Sequence, residues 1–248
     1  MAEGLLPSAA AGPSRRLLLA GGGGWLLAGS AAAAETHAAA GHGAPALSPA
    51  EALKRLMAGN ARFAQDKSIH PDLDLKHRAS LAGGQHPFAV ILACADSRVG
   101  PELIFDQGLG DLFVIRVAGN VVDDAVLASV EYAVIHLGSP LVMVLGHERC
   151  GAVTATVEAL AGKGSAEDKE TKIGSLADLI APAVRAVPAG APDKLDAAIV
   201  LNAERAARAI VTGSPPLRAR VQSGALRVMS ARYDLDEGTV SRLQTAQV

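Results

Sequence analysis

Two short, uninterrupted apolar runs, Phe88–Leu92 and Leu141–Leu145, constrain this 248-residue chain more than any other feature. A strand with one wet face alternates apolar and polar residues, whereas a strand covered on both faces is apolar throughout, as in a parallel sheet flanked by helices. Each run leads into residues that a core does not need. Cys94-Ala95-Asp96-Ser97-Arg98 follows the first, and Gly146-His147-Glu148-Arg149-Cys150-Gly151 follows the second. Functional groups of open α/β sheets gather at the carboxyl ends of strands. Two strand ends therefore offer two thiolates and one imidazole.

The remaining segments supply the helices and further strands that such a sheet requires. Ser48-Pro49-Ala50-Glu51 provides a serine N-cap, a proline at the first helical position and a glutamate at the third, a capping box. It opens an amphipathic helix with Leu53, Leu56, Met57 and Phe63 on one face; Asn60 and Arg62 lie within it. Leu112–Val117 reads as a strand and Gly119-Asn120 as a turn. Asp123-Asp124 caps a helix reaching about Leu137, with Gly138 beyond its last turn. Further helices are predicted over Ala152–Leu160, around Leu176–Val184 and over Lys194–Thr212. Ala225–Tyr233 partly alternates and reads as an edge strand, with Asp236-Glu237-Gly238 turning before Val240. The prediction is an α/β fold: a single domain whose mostly parallel central sheet has about four parallel strands plus an antiparallel edge strand, flanked by helices.

Composition matters mainly for what it excludes. A formal charge of -2 with only 3% aromatic residues gives no basic surface for nucleic acid. The amino terminus runs Ser14-Arg15-Arg16, Leu17–Ala20, four glycines, Trp25-Leu26-Leu27 and then Ala31–Ala34. Residues 1–34 read as a signal peptide that resembles the twin-arginine type, although the phenylalanine often found after the arginine pair is missing. The segment is shorter than the roughly 20 apolar residues a spanning helix needs. The expectation is a periplasmic or otherwise exported protein, with no stable membrane insertion after cleavage. Residues 35–47 read as a linker and 48–248 as the domain with its helical arm.

In an exported protein two cysteines ordinarily imply a disulfide. Here each follows an apolar run and has a metal-competent neighbour, which a disulfide does not require. Zinc takes thiolate and imidazole ligands tetrahedrally, and three protein ligands leave one position open. Cys94, His147 and Cys150 supply three, for one Zn2+ per chain. His70, His77 and His86 have no spacing that singles them out as a fourth, and Asp96 is the nearest alternative. A bound hydroxide is nucleophilic because the cation acidifies its water, but two thiolates donate charge and oppose that effect, so something nearby must counter them. Asp96 either accepts the hydroxide proton while Arg98 holds it bidentately, or itself ligates zinc and closes the site. The sequence leaves both states open.

The order C-x-D-x-R and then H-x-x-C resembles the β-class carbonic anhydrases. The likeness runs from about Ser48 to Val240 and includes Val117-Ala118-Gly119-Asn120, Glu131-Tyr132-Ala133-Val134 and Tyr233-Asp234-Leu235. It implies zinc-dependent, reversible hydration of carbon dioxide to bicarbonate and a proton, with Asp96 and Arg98 as catalytic residues. It also implies a substrate pocket at a dimer interface. By position, Gln85, Phe113 and Tyr132 match the pocket lining of the plant-like subgroup, and Gly151 the small residue after the last ligand, where backbone approaches the metal. The working unit implied is a homodimer or higher homo-oligomer, with the first helix gripping the partner. Carbonyl sulfide or carbon disulfide hydrolysis on the same ligands is an alternative. So is a catalytically idle zinc or bicarbonate binder, against which the Asp96/Arg98 pair argues. His136 reads as a packing histidine, Glu148 and Arg149 as pointing away from the ligands, and Asn120 has no catalytic role assigned.

Overall fold

The computed structural model describes residues 47–165, 167 and 171–246; the predicted leader and the linker up to residue 46 lie outside them. Five strands, β1 (Ala89–Ala93), β2 (Leu112–Arg116), β3 (Leu141–His147), β4 (Arg227–Tyr233) and β5 (Val240–Thr245), form one sheet in the order β2-β1-β3-β4-β5. The first four run parallel, and β5 returns antiparallel on β4. The two apolar runs are the central strands β1 and β3, buried along their whole length.

Helices cover both faces. They are α1 (Pro49–Ala64), α2 (Leu75–Ser80), α3 (Pro101–Ile104), α4 (Asp124–Ile135), α5 (Gly151–Leu160), α6 (Ile173–Arg185), α7 (Lys194–Gly213) and α8 (Pro215–Gln222). Because side chains alternate along a strand, Ile91, Met143 and Leu145 pack with Leu56 of α1 and with Ile104 and Phe105. Val90, Leu92 and Val144 face Val130 of α4 and Ala203 and Ile210 of α7. Each large side chain so enclosed contributes about 1.5–3 kcal/mol of burial. No helix among the described residues is long and apolar enough to cross a membrane.

Two elements differ from the sequence expectation. Ala225–Tyr233 is not an edge: β4 pairs with β3 on one side and β5 on the other. Its polar residues do not mark a wet face, since Ser230 is fully buried and Arg232 is committed to Asp196 and Glu148. The antiparallel edge strand is β5. Helix α8 was not foreseen, because Ser214-Pro215-Pro216 resembles a chain break; instead Ser214 caps the helix by accepting from Leu217 N, with proline in the first turn.

Helix α1 is docked from both ends. Its capping box forms as read. A Cβ at Gly59 would stand 1.7 Å from the Phe105 carbonyl oxygen, so only glycine permits this approach. Asn60, buried, donates to the carbonyls of Ile104 (3.2 Å) and Gly238 (2.9 Å) and accepts from Val240 N at 2.8 Å. Arg62 Nε donates to Asp106 Oδ2 at 2.5 Å.

Candidate metal centre

The parallel register sets β1 beside β3, so the residues that follow their carboxyl ends meet. Cys94 follows β1, His147 is the last residue of β3, and Cys150 is the N-cap of α5. Their ligand atoms all lie within 4.8 Å of one another, and the two sulfurs are 4.0 Å apart. Apolar neighbours, among them Val121, Val153, Ile180 and Ile199, enclose the two cysteines.

Whether these residues suit a zinc ion can be judged from the donors themselves. Two thiolates at about 2.3 Å from a tetrahedral zinc lie about 3.8 Å apart, close to the separation found. His147 Nδ1 is 2.8 Å from the Glu148 carbonyl oxygen, which assigns the proton to Nδ1 and leaves Nε2 as the lone-pair donor. That Nε2 is buried and has no hydrogen-bond partner. A buried unpaired acceptor is costly, and a cation removes the cost. Donor set, spacing and orphaned nitrogen all fit zinc.

The two thiols share their environment unequally. The Cys94 thiol is held below its ordinary range, first by the hydrogen bond with Cys150, then by His147 and by the Gly119 N–H, which donates to its sulfur at 3.3 Å. The Cys150 thiol is pushed up, first because its proton is held in the hydrogen bond to Cys94, then by burial and by the negative charge of Cys94. A metal ion held by both sulfurs would resolve this, since each would ligate as the thiolate.

Asp96 lies at the rim of the centre. Arg98 binds it at two points, Nε to Oδ1 at 2.9 Å and Nη2 to Oδ2 at 2.7 Å, and the Arg98 N–H donates to Oδ1 at 2.9 Å. The guanidinium holds the carboxyl well below the usual carboxylate range, with the Arg98 N–H and His147 adding to the effect against partial burial. Asp96 Oδ2 is 3.9 Å from His147 Nε2, outside the three-ligand group. The carboxylate is thus paired with the arginine.

Several supporting residues were invisible in the sequence. Arg116, at the end of β2, donates to the carbonyls of Cys94 (3.2 Å) and Asp96 (2.6 Å) and so clamps the loop that carries both. Asn202 of α7 donates to the Gly119 carbonyl at 2.7 Å. Glu148 and Arg149 do point elsewhere. The Glu148 carboxylate accepts from Arg232 and from Leu235 N, and Arg149 pairs with Asp236.

The pocket residues are placed unevenly. The rings of Phe113 and Tyr132 face one another with centroids 6.3 Å apart, and Tyr132 is 48% exposed. Gln85 is exposed on the loop before β1, and its side chain has no hydrogen bond to another described residue. A Cβ at Gly151 would meet nothing within 4 Å, so packing within the chain does not demand glycine there. His136 is exposed, not packed inside; its ring lies 5.3 Å from that of Tyr132.

Known proteins give the same picture. The family model described as carbonic anhydrase matches residues 89–240. Carbonic anhydrase 2 of Mycobacterium tuberculosis is 41% identical over 197 residues, covering 78% of this chain and 92% of the relative. A solved β-carbonic anhydrase, CcaA, superposes with a TM-score of 0.61 at 26% identity, over 79% of this chain and 99% of that one. One of two tetrameric β-carbonic anhydrases of Sordaria macrospora gives 0.60 at 22% identity, over 79% of this chain and all of its own.

Proposed function

The chain belongs to the β-class carbonic anhydrases, zinc enzymes that interconvert carbon dioxide and bicarbonate, and we propose that its Cys94, His147 and Cys150 hold the ion while Asp96 and Arg98 serve the reaction. One observation carries this reading. A carboxylate fixed by a bidentate arginine stands 3.9 Å from an unpartnered, buried imidazole nitrogen that converges with two thiols.

When bound, the zinc supplies the Lewis acidity that makes water a nucleophile toward carbon dioxide. The chain's own residues do the rest. Asp96, kept charged by Arg98, accepts the hydrogen bond of the attacking oxygen and aims its lone pair at carbon. Arg98 holds that carboxylate off the ion, because moving it inward would break two charge-assisted hydrogen bonds. Phe113 and Tyr132 form an apolar wall that suits a substrate without charge, and Gln85 offers an amide to bicarbonate. These three residues support the plant-like subgroup.

The working unit is at least a homodimer, a reading supported by the tetrameric β-carbonic anhydrases of Sordaria macrospora on the same fold and by large apolar side chains left exposed on this chain, among them Leu75 and Tyr132. The leader-like residues support an exported, periplasmic bacterial protein, which the amino-terminal sequence of the mature chain would test.

The decisive experiment is stopped-flow carbon dioxide hydration by metal-analysed protein, with carbonyl sulfide assayed alongside. Cys94→Ser is expected to lose zinc and hydration together. Retention of both would sink the assignment, and a faster rate on carbonyl sulfide would replace the substrate.

A further inference from the structure

A centre with two thiolates gives its metal more negative charge than one with three imidazoles, and that charge opposes water activation. The structure contains a counterweight. The Gly119 N–H donates to Cys94 Sγ at 3.3 Å, and a hydrogen bond to a ligating sulfur withdraws part of the charge the sulfur would pass on.

What aims that N–H is remote in sequence. Gly119 sits at φ 71°, a left-handed conformation, and a Cβ there would meet Ile180 Cδ1 at 2.7 Å and Ala152 Cβ at 3.3 Å. The peptide linking Gly119 to Asn120 is pinned at both ends. Its N–H donates to the Val117 carbonyl at 2.9 Å, and its carbonyl accepts from Asn202 Nδ2 at 2.7 Å. Asn202 is 4% exposed and 83 residues away, on α7. Rotation about Gly119 would turn its N–H off the sulfur, and with no side chain on Gly119 the Asn202 bond is the restraint from α7 against it.

We propose that Asn202 is a positioning residue for the metal centre: by holding the Gly119 carbonyl it keeps the Gly119 N–H on Cys94 and limits the charge that thiolate gives the metal. This rests on the zinc reading above. Its family of consequences is narrow. Zinc still binds without Asn202, because all three ligands remain; what changes is the electronic character of one ligand.

The test uses the cobalt-substituted full-length protein and its zinc form. In Asn202→Leu the sulfur-to-cobalt charge-transfer band is expected to move to lower energy at one cobalt per chain. With zinc, kcat is expected to fall on the order of 10-fold with little change in KM, a typical size for losing outer support of a metal ligand. Asn202 borders a cavity of about 260 Å³ with Val121, Leu179 and Pro182, which gives leucine room. Asn202→Ser, too short to reach the carbonyl, should reproduce the shift. A cadmium-113 form of the unaltered protein adds a direct readout, scalar coupling between the metal and the Gly119 amide proton.

An unmoved band in folded, fully loaded variants, or no coupling in the unaltered protein, overturns the proposal. Loss of folding in both variants assigns Asn202 to the core alone and overturns it too. Failure of the unaltered protein to bind metal would instead sink the zinc reading.

Discussion

Two aspartate–arginine pairs in this chain look alike in outline and differ in everything that matters for function. Asp106 accepts from Arg62 and from the N–H groups of Ile69 and His70, and its side chain is wholly buried. Burial alone would push that carboxyl up; the guanidinium and the two N–H groups outweigh it and hold it below its ordinary value. Asp96 is also held low by its arginine, but its side chain is 16% exposed, Arg98 is 50% exposed, and one oxygen lies toward the ligand imidazole. A carboxylate whose lone pairs are all taken by its own chain braces a fold. One that keeps a lone pair facing a metal centre can take part in chemistry.

Exchanging the two pairs' roles in experiment would break this contrast. The largest effect is expected for Asp96→Asn, which should retain zinc and stability while hydration falls on the order of 10²-fold or more, the range for losing a positioned proton acceptor. A rate within twofold of the unaltered enzyme would leave the two pairs indistinguishable. Next comes Asp106→Asn, expected to cost about 3 kcal/mol of stability in urea because buried N–H groups and a guanidinium lose their acceptor, with kcat of the folded fraction and zinc content unchanged. Arg98→Lys should slow hydration less than Asp96→Asn, since a point charge cannot grip the carboxylate at two points. The smallest effect is on pH. A depressed carboxyl lends its stability above its unfolded value and loses it as pH falls through the folded one, so Asp106 should contribute fully from neutral pH to roughly 4. Acid titration of stability should therefore be shallower below that point in Asp106→Asn; a difference that vanished already at pH 6 would mean another group is responsible.

What could be read in the sequence was whatever is local. The three ligands, Asp96 and Arg98 stand in two short segments after apolar runs, and the parallel sheet needed only to bring two strand ends together. The α1 capping box and the helices after β2 and β3 were readable for the same reason. Arg116, Gly119 and Asn202 were not, because each acts at a separation of 20 residues or more through a backbone group that no residue type announces. The place of β4 inside the sheet was hidden by two polar residues, Ser230, which is fully buried, and Arg232, whose partners Asp196 and Glu148 come from elsewhere in the fold. Gln85, Phe113 and Tyr132 were named by resemblance, and of the three only the two rings meet within the chain.

The buried Asn60 has a consequence for how the protein is made. Its bonds to Gly238 and Val240 span 178 and 180 residues, so α1, which residues 104–111 already meet, is fully moored only when residues 238–240 have been synthesised. Domains fold as units while the ribosome delivers them from the amino end, and here the packing of α1 is completed from the carboxy end. A carboxy-terminal truncation from Gly238 onward would therefore remove two of the three backbone partners of Asn60 and weaken the mooring of α1, far away in sequence.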